Sequence, residues 1–374
     1  MNLPKHMPAL DGLRGIAILM VILMHVGFGR SAAFSFYAVT ANFPPTFVLP
    51  AWLDRIDGAA EHGVQLFFVI SAFTLTLRAM TNANLNAGYL LRRIARVGPA
   101  YWLAALGYTL LTWQTPAVLA SNGVMLFDYL SAISFANAWT GGAALLVVPG
   151  GWSVSCEVTF YVVLPLLLWL INGRIWRAVF LTILSAALAQ ARLRHYVLDG
   201  QWNFSLYANP IQHAPVFLCG ITSALIVMQR NIPRTPVVIV ALLMTAIVSI
   251  PQGLTPPPQY LSPYLAFSVL AAAVVALAAP YPLGVLSGGI MRKVGEVSYS
   301  MYLVHFVLLA PCLLVAEWLS PSDRWPTLII CYVLTATGSF LVACVTYRFI
   351  ERPAIEWAAA RTRGTLVAAA VAAA

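Results

Sequence analysis

Long apolar runs separated by short polar stretches recur along the whole chain. They fall at 12–30, 62–80, 97–114, 153–171, 176–191, 213–229, 236–250, 262–280, 296–319 and 326–350. About 20 apolar residues at about 1.5 Å each cross a bilayer core, so each run is a candidate spanning helix, the fifth and seventh being short. Together they predict an all-α fold, a polytopic membrane bundle of about ten helices. The first run, DGLRGIAILMVILMHVG, is interrupted by Arg14 and His25, eleven residues apart. Eleven steps of about 100° make three turns plus about 20°, so both side chains share one face, roughly 16.5 Å apart along the axis. Arg at the centre of a spanning helix costs about 2.5–3.5 kcal/mol on insertion scales, so this face is expected to point at a polar interior.

Composition agrees with the pattern. Of 374 residues, 61% are hydrophobic and 9% charged, and the mean hydropathy is +0.83, which excludes an ordinary soluble domain of this length. The net charge of +9 does not point to nucleic acid, because most basic residues flank apolar runs. With the N-terminus in the cytoplasm, Arg30, Arg55, Arg192, Arg194 and Arg324 fall outside, leaving sixteen of the 21 Lys and Arg inside. An even number of spans then puts both termini in the cytoplasm. The expected organisation is a membrane-embedded domain over 1–357 and a short cytoplasmic tail over 358–374.

The five cysteines sit in or beside apolar runs without CxxC spacing, so they read as packing residues and no metal site is expected. Residues 1–33 resemble a secretory signal, but His25 in the apolar core argues against a removable leader. Long outer connections are expected at 31–61 and 115–152. The second contains MLFDYLSAISFANAW, which suits either a binding mouth or interfacial padding.

The remaining polar positions each admit two readings. His25 suits a base that takes a proton from a hydroxyl, or a hydrogen bond between helices. Glu157, in GWSVSCEVTFY, suits orienting an imidazole or receiving a substrate hydroxyl. It suits equally a first-turn carboxylate favoured by the helix dipole, with Ser153 as N-cap. Ser155 and Cys156 lack a base in the local sequence. Arg92, Arg93 and Arg96 lie in an inner loop before the third run. Arg93 and Arg96, three apart, form a fork for phosphate or an ordinary positive-inside anchor. His305 and Tyr302, one turn apart, suit structural hydrogen bonding or the wall of the cavity that holds His25. His62 and His213 start outer-side runs, where interfacial placement explains both. Glu351 and Arg352 are expected to close a helix, since Pro353 breaks its continuation.

Six stretches in order carry a resemblance: LDGLRGIAILMVILMHVG, FFVISAFTLTLR, RRIARVGPAYW, WSVSCEVTFY, GEVSYSMYLVHF and YRFIERP. Over almost the whole chain the sequence resembles the acyltransferase 3 family of integral membrane acyltransferases. The resemblance implies a ten-helix bundle in a bacterial inner membrane, with no permanently bound cofactor. It implies transfer of an acyl group, expected to be acetyl, from cytosolic acyl-CoA to a hydroxyl of a sugar, glycan or glycosylated small molecule. The family's required R-x10-H pair corresponds to Arg14 and His25, and its donor-linked R-x-x-R to Arg93 and Arg96. Glu157 matches the first acidic residue of the family's WSLSVEEQFY, but Val158 replaces the second. Ala72 stands where the family has glycine, and His213 where relatives often have arginine, which bears on the acceptor. His25 is expected to act as general base, or alternatively to carry the acyl group, with Arg14 and Glu157 assisting. His305, Tyr302 and His213 are candidate acceptor contacts. Two other classes remain open on the residues alone: a secondary transporter with an intramembrane His/Arg/Glu route, and a non-catalytic lipid or glycan binder.

Overall fold

The computed structural model describes residues 7–27, 60, 62–82, 85, 88–112, 124–140, 147–198, 204–229, 263–280, 284–320 and 324–372. Among them the regular structure is entirely helical. In chain order the helices are α1 (Pro8–Gly27), α2 (Gly63–Asn82), α3 (Gly88–Thr112), α4 (Leu126–Ile133), α5 (Gly151–Ile171) and α6 (Ile175–Leu198). There follow α7 (Phe204–Ala208), α8 (Pro210–Gln229), α9 (Pro263–Ala278), a 3₁₀ turn (Gly284–Ser287), α10 (Gly289–Glu296), α11 (Ser298–Leu319) and α12 (Arg324–Thr346). A π-helical turn (Tyr347–Glu351) then leads into α13 (Arg352–Ala372).

Among the described residues six stretches are long and apolar enough to cross a membrane: Pro8–Val26, Gly63–Thr81, Gly151–Ile171, Phe204–Gln229, Ser298–Leu319 and Trp325–Thr362. Large apolar side chains such as Leu110, Trp169, Ile183 and Trp318 are exposed on the outside. Gln65, Thr76, Ser155, His213 and His305 are buried inside. Apolar outside and polar inside is the arrangement lipid demands. The protein is a multi-pass integral membrane protein.

Several sequence expectations need correction. The expected run at 97–114 lies in α3, which starts earlier and contains Arg92, Arg93 and Arg96, so the basic cluster is helical and not a loop. The run at 262–280 contains α9, whose 16 residues are short for a span. The run at 296–319 begins with a break at Val297, because α10 and α11 are separate helices. Pro353 does not end the last helix. The π turn at 347–351 widens the ladder just before it, and the Arg352 N–H bonds Tyr347 O there, so α13 starts with proline in its first turn, where a missing N–H is tolerated. Residues 357 and 358 both lie within α13. The expected span 236–250 lies outside the described residues, as does the connection 31–61 apart from residue 60.

α1 is the axis of the bundle and packs on α2, α10, α11 and α12. Glycines on both sides explain how closely α1 approaches the 3₁₀ turn and α10. A Cβ on Gly295 would overlap the Asp11 carbonyl, and one on Gly12 would overlap the Leu286 carbonyl. This backbone contact holds the first turns of α1, with Asp11 and Arg14, against α10. Gly295→Ala is expected to destabilise the protein by about 1–3 kcal/mol through overpacking, despite alanine's better helix propensity. Gly289→Ala, in the same helix, meets nothing within 4 Å and is expected to be neutral or mildly stabilising. Thermal unfolding of the two purified variants in detergent checks the opposite signs.

Candidate active site

Polar side chains recur at helical spacing on several helices and converge. α2 contributes Ser71, Thr74 and Arg78, at i, i+3 and i+7. α5 contributes Ser153, Glu157 and Tyr161, at i, i+4 and i+8. With Arg14 of α1, Arg93 and Arg96 of α3, and Ser298, Tyr299 and Tyr302 of α11, they line a cavity of about 110 Å³. Four arginines face one carboxylate there, so the cavity favours an anion. A second cavity of about 400 Å³ shares Arg14, Thr74, Arg78 and Arg96 with the first. Arg292 and Glu296 of α10, and Tyr347 and Glu351 of the π turn, complete its wall. Glu351 is buried and accepts a hydrogen bond from the Ser300 hydroxyl. A polar chamber thus runs inward from the first turns of α1.

The Arg14 guanidinium donates to Asp11 Oδ1 at 2.7 Å and reaches Thr74 Oγ1 at 3.5 Å, which fixes it where the cavities meet. Arg93 has a buried Nε without a hydrogen-bond partner among the described residues. Glu157 accepts from the Ser71 hydroxyl at 2.6 Å. It stands in the second turn of α5, because that helix starts at Gly151 behind a left-handed Gly150 with φ 73°. Ser153 is therefore no N-cap; its hydroxyl bonds Gly150 O at 3.0 Å and Tyr302 Oη at 2.9 Å.

His25 stands at the far end of α1 from Arg14, as the spacing requires. Its imidazole meets His305, with Nδ1 of His25 and Nε2 of His305 at 3.3 Å, and packs edge-on against Phe306. Tyr302 links this pair to the cavity, its ring centroid 5.7 Å from that of His305. The polar side chain bonded to His25 is thus His305 and not Glu157, while Glu157 sits with the arginines.

His213 does not line the cavity. It is fully buried in an aromatic box of Phe68, Trp152 and Tyr207, with centroids 5.0–5.4 Å away. His62 is also buried, 4.9 Å from the Phe267 ring, so neither histidine is exposed on the surface of the bundle. Ser155 donates to Phe135 O, and the Cys156 thiol to Ala208 O at 3.3 Å, as packing residues would. α4 exposes Leu126, Phe127, Leu130 and Ile133 and buries Ser131 and Ala132, the profile of a helix lying against lipid. The sequence reading does not single out Ser71, Arg78 and Tyr161 as site residues. The signal was the polar stripe on α2 and on α5, each within an otherwise apolar helix.

Comparison with known proteins accounts for this arrangement. A family model described as an acyltransferase domain matches residues 7–345. The acyltransferase MdmB of Streptomyces mycarofaciens is 26% identical over 325 residues, covering 81% of this chain and 79% of that protein. The peptidoglycan O-acetyltransferase OatA of Listeria monocytogenes is 23% identical over 389 positions, covering 93% of this chain and 56% of that longer protein. No solved structure matches. The match spans the arginine chamber and the His25–His305 pair together: the chain belongs to the acyltransferase 3 family and is a membrane acyltransferase.

Proposed function

We propose that this acyltransferase moves an acyl group, acetyl in the simplest case, from cytosolic acyl-CoA to a hydroxyl of a glycan or glycosylated small molecule on the outer side of a bacterial inner membrane. The observation that carries the reading is the chamber in which Arg14, Arg78, Arg93 and Arg96 converge inside an apolar bundle. Guanidinium forks suit phosphate, and the buried Arg93 Nε is a donor for which a phosphate oxygen is a fitting acceptor. CoA carries its phosphates at one end and its thioester at the end of a long flexible arm. That shape suits a chamber with arginines at its wide end and a histidine pair beyond its inner end. The name of the Listeria relative, a peptidoglycan O-acetyltransferase, supports a glycan acceptor.

In the proposed reaction His25 Nε2 takes the proton of the acceptor hydroxyl as its oxygen attacks the thioester carbonyl. The new C–O bond forms, the C–S bond breaks, and the thiolate of CoA leaves. The imidazolium then returns its proton to that thiolate, giving ester and free CoA. Arg14, Arg93 and Arg96 hold the donor, and Glu157 offsets their charge between turnovers.

Sealed vesicles of both orientations test the sidedness. Everted vesicles, given labelled acetyl-CoA outside and host surface-glycan oligosaccharides in the lumen, are expected to label the lumenal glycan. Right-side-out vesicles given the same donor outside are expected to stay unlabelled until permeabilised. Labelling in the opposite sense overturns the proposed direction, and no transfer in either after permeabilisation overturns the donor.

A further inference from the structure

The two imidazoles constrain one another's protons. Nδ1 of His305 lies 2.7 Å from the Tyr302 carbonyl and 3.3 Å from that of Met301. A carbonyl oxygen can only accept, so this nitrogen carries the proton and Nε2 of His305 presents its lone pair. Nδ1 of His25 lies 2.7 Å from the Val21 carbonyl and therefore also carries a proton. That N–H points between the Val21 carbonyl and Nε2 of His305, 3.3 Å away. One assignment satisfies every contact: both rings protonated at Nδ1, with the His25 proton shared between two acceptors. His25 is left with its Nε2 lone pair outside the network.

We infer that His305 is a positioning residue that fixes His25 in the tautomer with Nε2 unprotonated and stabilises the imidazolium formed during transfer. When His25 Nε2 gains a proton, no bond in this network need break. The Nδ1–H donor becomes charge-assisted and its bonds to Val21 O and His305 Nε2 strengthen. A neutral imidazole thereby does for His25 what a buried carboxylate does for the histidine of a hydrolase triad. It does so without placing a second charge deep in the bundle, where His305 is fully buried. The pair also distinguishes the base: His305 has its lone pair engaged by His25, whereas His25 does not.

The inference rests on the proposed role of His25 as base, and the test separates the two. His305→Leu removes the acceptor while keeping bulk, and His305→Met does so with a more adaptable chain. His305→Gln retains an amide oxygen that can accept the His25 N–H. Leu or Met is expected to lower kcat on the order of 10–100-fold, the size of effect seen when the hydrogen-bond partner of a metal-ligating imidazole is lost. KM for acetyl-CoA should stay within about twofold of wild type, because the lost interaction belongs to the transition state. Gln is expected to recover most of the loss. In a His25→Gln background, His305→Leu should cost nothing further in residual turnover, followed by long incubation with labelled acetyl-CoA, since His305 acts through His25. Wild-type kcat in a folded Leu or Met variant, a Gln variant no better than they are, or an additive loss in the His25→Gln background overturns the inference. Near-wild-type turnover by His25→Gln alone overturns instead the base role on which it rests.

Discussion

His25→Gln is expected to lower acyl transfer by about 10²–10⁴-fold, the usual worth of general acid–base assistance, while the protein still inserts and binds acetyl-CoA. Glutamine can replace the hydrogen bond that Nδ1 makes to the Val21 carbonyl, but it cannot take up and return a proton near neutral pH. A packing role would therefore survive this substitution and a base role would not. His25→Ala is expected to be about as inactive, since among the described residues no other group stands beside His305 to serve as base. The acyl-histidine alternative has its own signature. Incubation with labelled acetyl-CoA and no acceptor is expected to leave the wild-type protein unlabelled after denaturation. Label that persists and vanishes in His25→Gln would replace the base by a covalent carrier. Turnover of His25→Gln near that of wild type would sink both routes.

The partner of His25 illustrates where local sequence stops being informative. Spacing can relate Arg14 to His25 because both lie on the one helix α1 and 3.6-residue periodicity is a local property. It could not relate His25 to His305, which lies 280 residues away and comes close because α1 packs on α11. On chemistry alone Glu157 is a natural partner for His25, since carboxylates commonly orient imidazoles. The fold places it instead among four arginines, bonded to Ser71. The surroundings of His213 are equally non-local. A polar residue in an apolar run implies a polar neighbour or a cavity, yet aromatic rings contributed by three different elements enclose this one.

The elements were legible to the same depth. The runs at 12–30, 62–80 and 153–171 have matching helices, because hydrophobicity sets length in lipid. The break at Val297 lies two residues past Gly295, which packs on the backbone of Asp11, a tertiary contact without periodic signature. The passage through Pro353 depends on one widened turn, which proline rules applied residue by residue do not anticipate. That turn also places Glu351 in the wall of the second cavity, beside Arg96 and Arg292. The local rule failed at a position that borders the site, where π turns are often found.

Replacing Arg93 and Arg96 together with glutamine is expected to raise KM for acetyl-CoA by about 10²-fold or more. Hydrogen bonds to charged groups contribute about 1.5–3 kcal/mol each, and the proposed phosphate contacts of both residues would be lost. Both guanidinium groups line the cavity that Arg14 and Glu157 share, and neither belongs to an ion pair among the described residues. Turnover at saturating donor should fall far less than this, because the contacts lie away from the reacting carbonyl. Arg92→Gln is the internal control. It removes one positive charge from the same run of basic residues, yet Arg92 lines neither cavity, so KM should change by less than about threefold. The chemistry of the donor supplies a second control. Acetyl-pantetheine keeps the thioester and its arm but has no phosphate. The wild type and the double variant should therefore use it with similar, low efficiency, which closes a cycle between protein charge and donor charge. An unchanged KM for acetyl-CoA in the double variant would leave the two arginines as anchors of membrane topology. Equal losses with acetyl-CoA and acetyl-pantetheine would mean that they shape the chamber without touching phosphate.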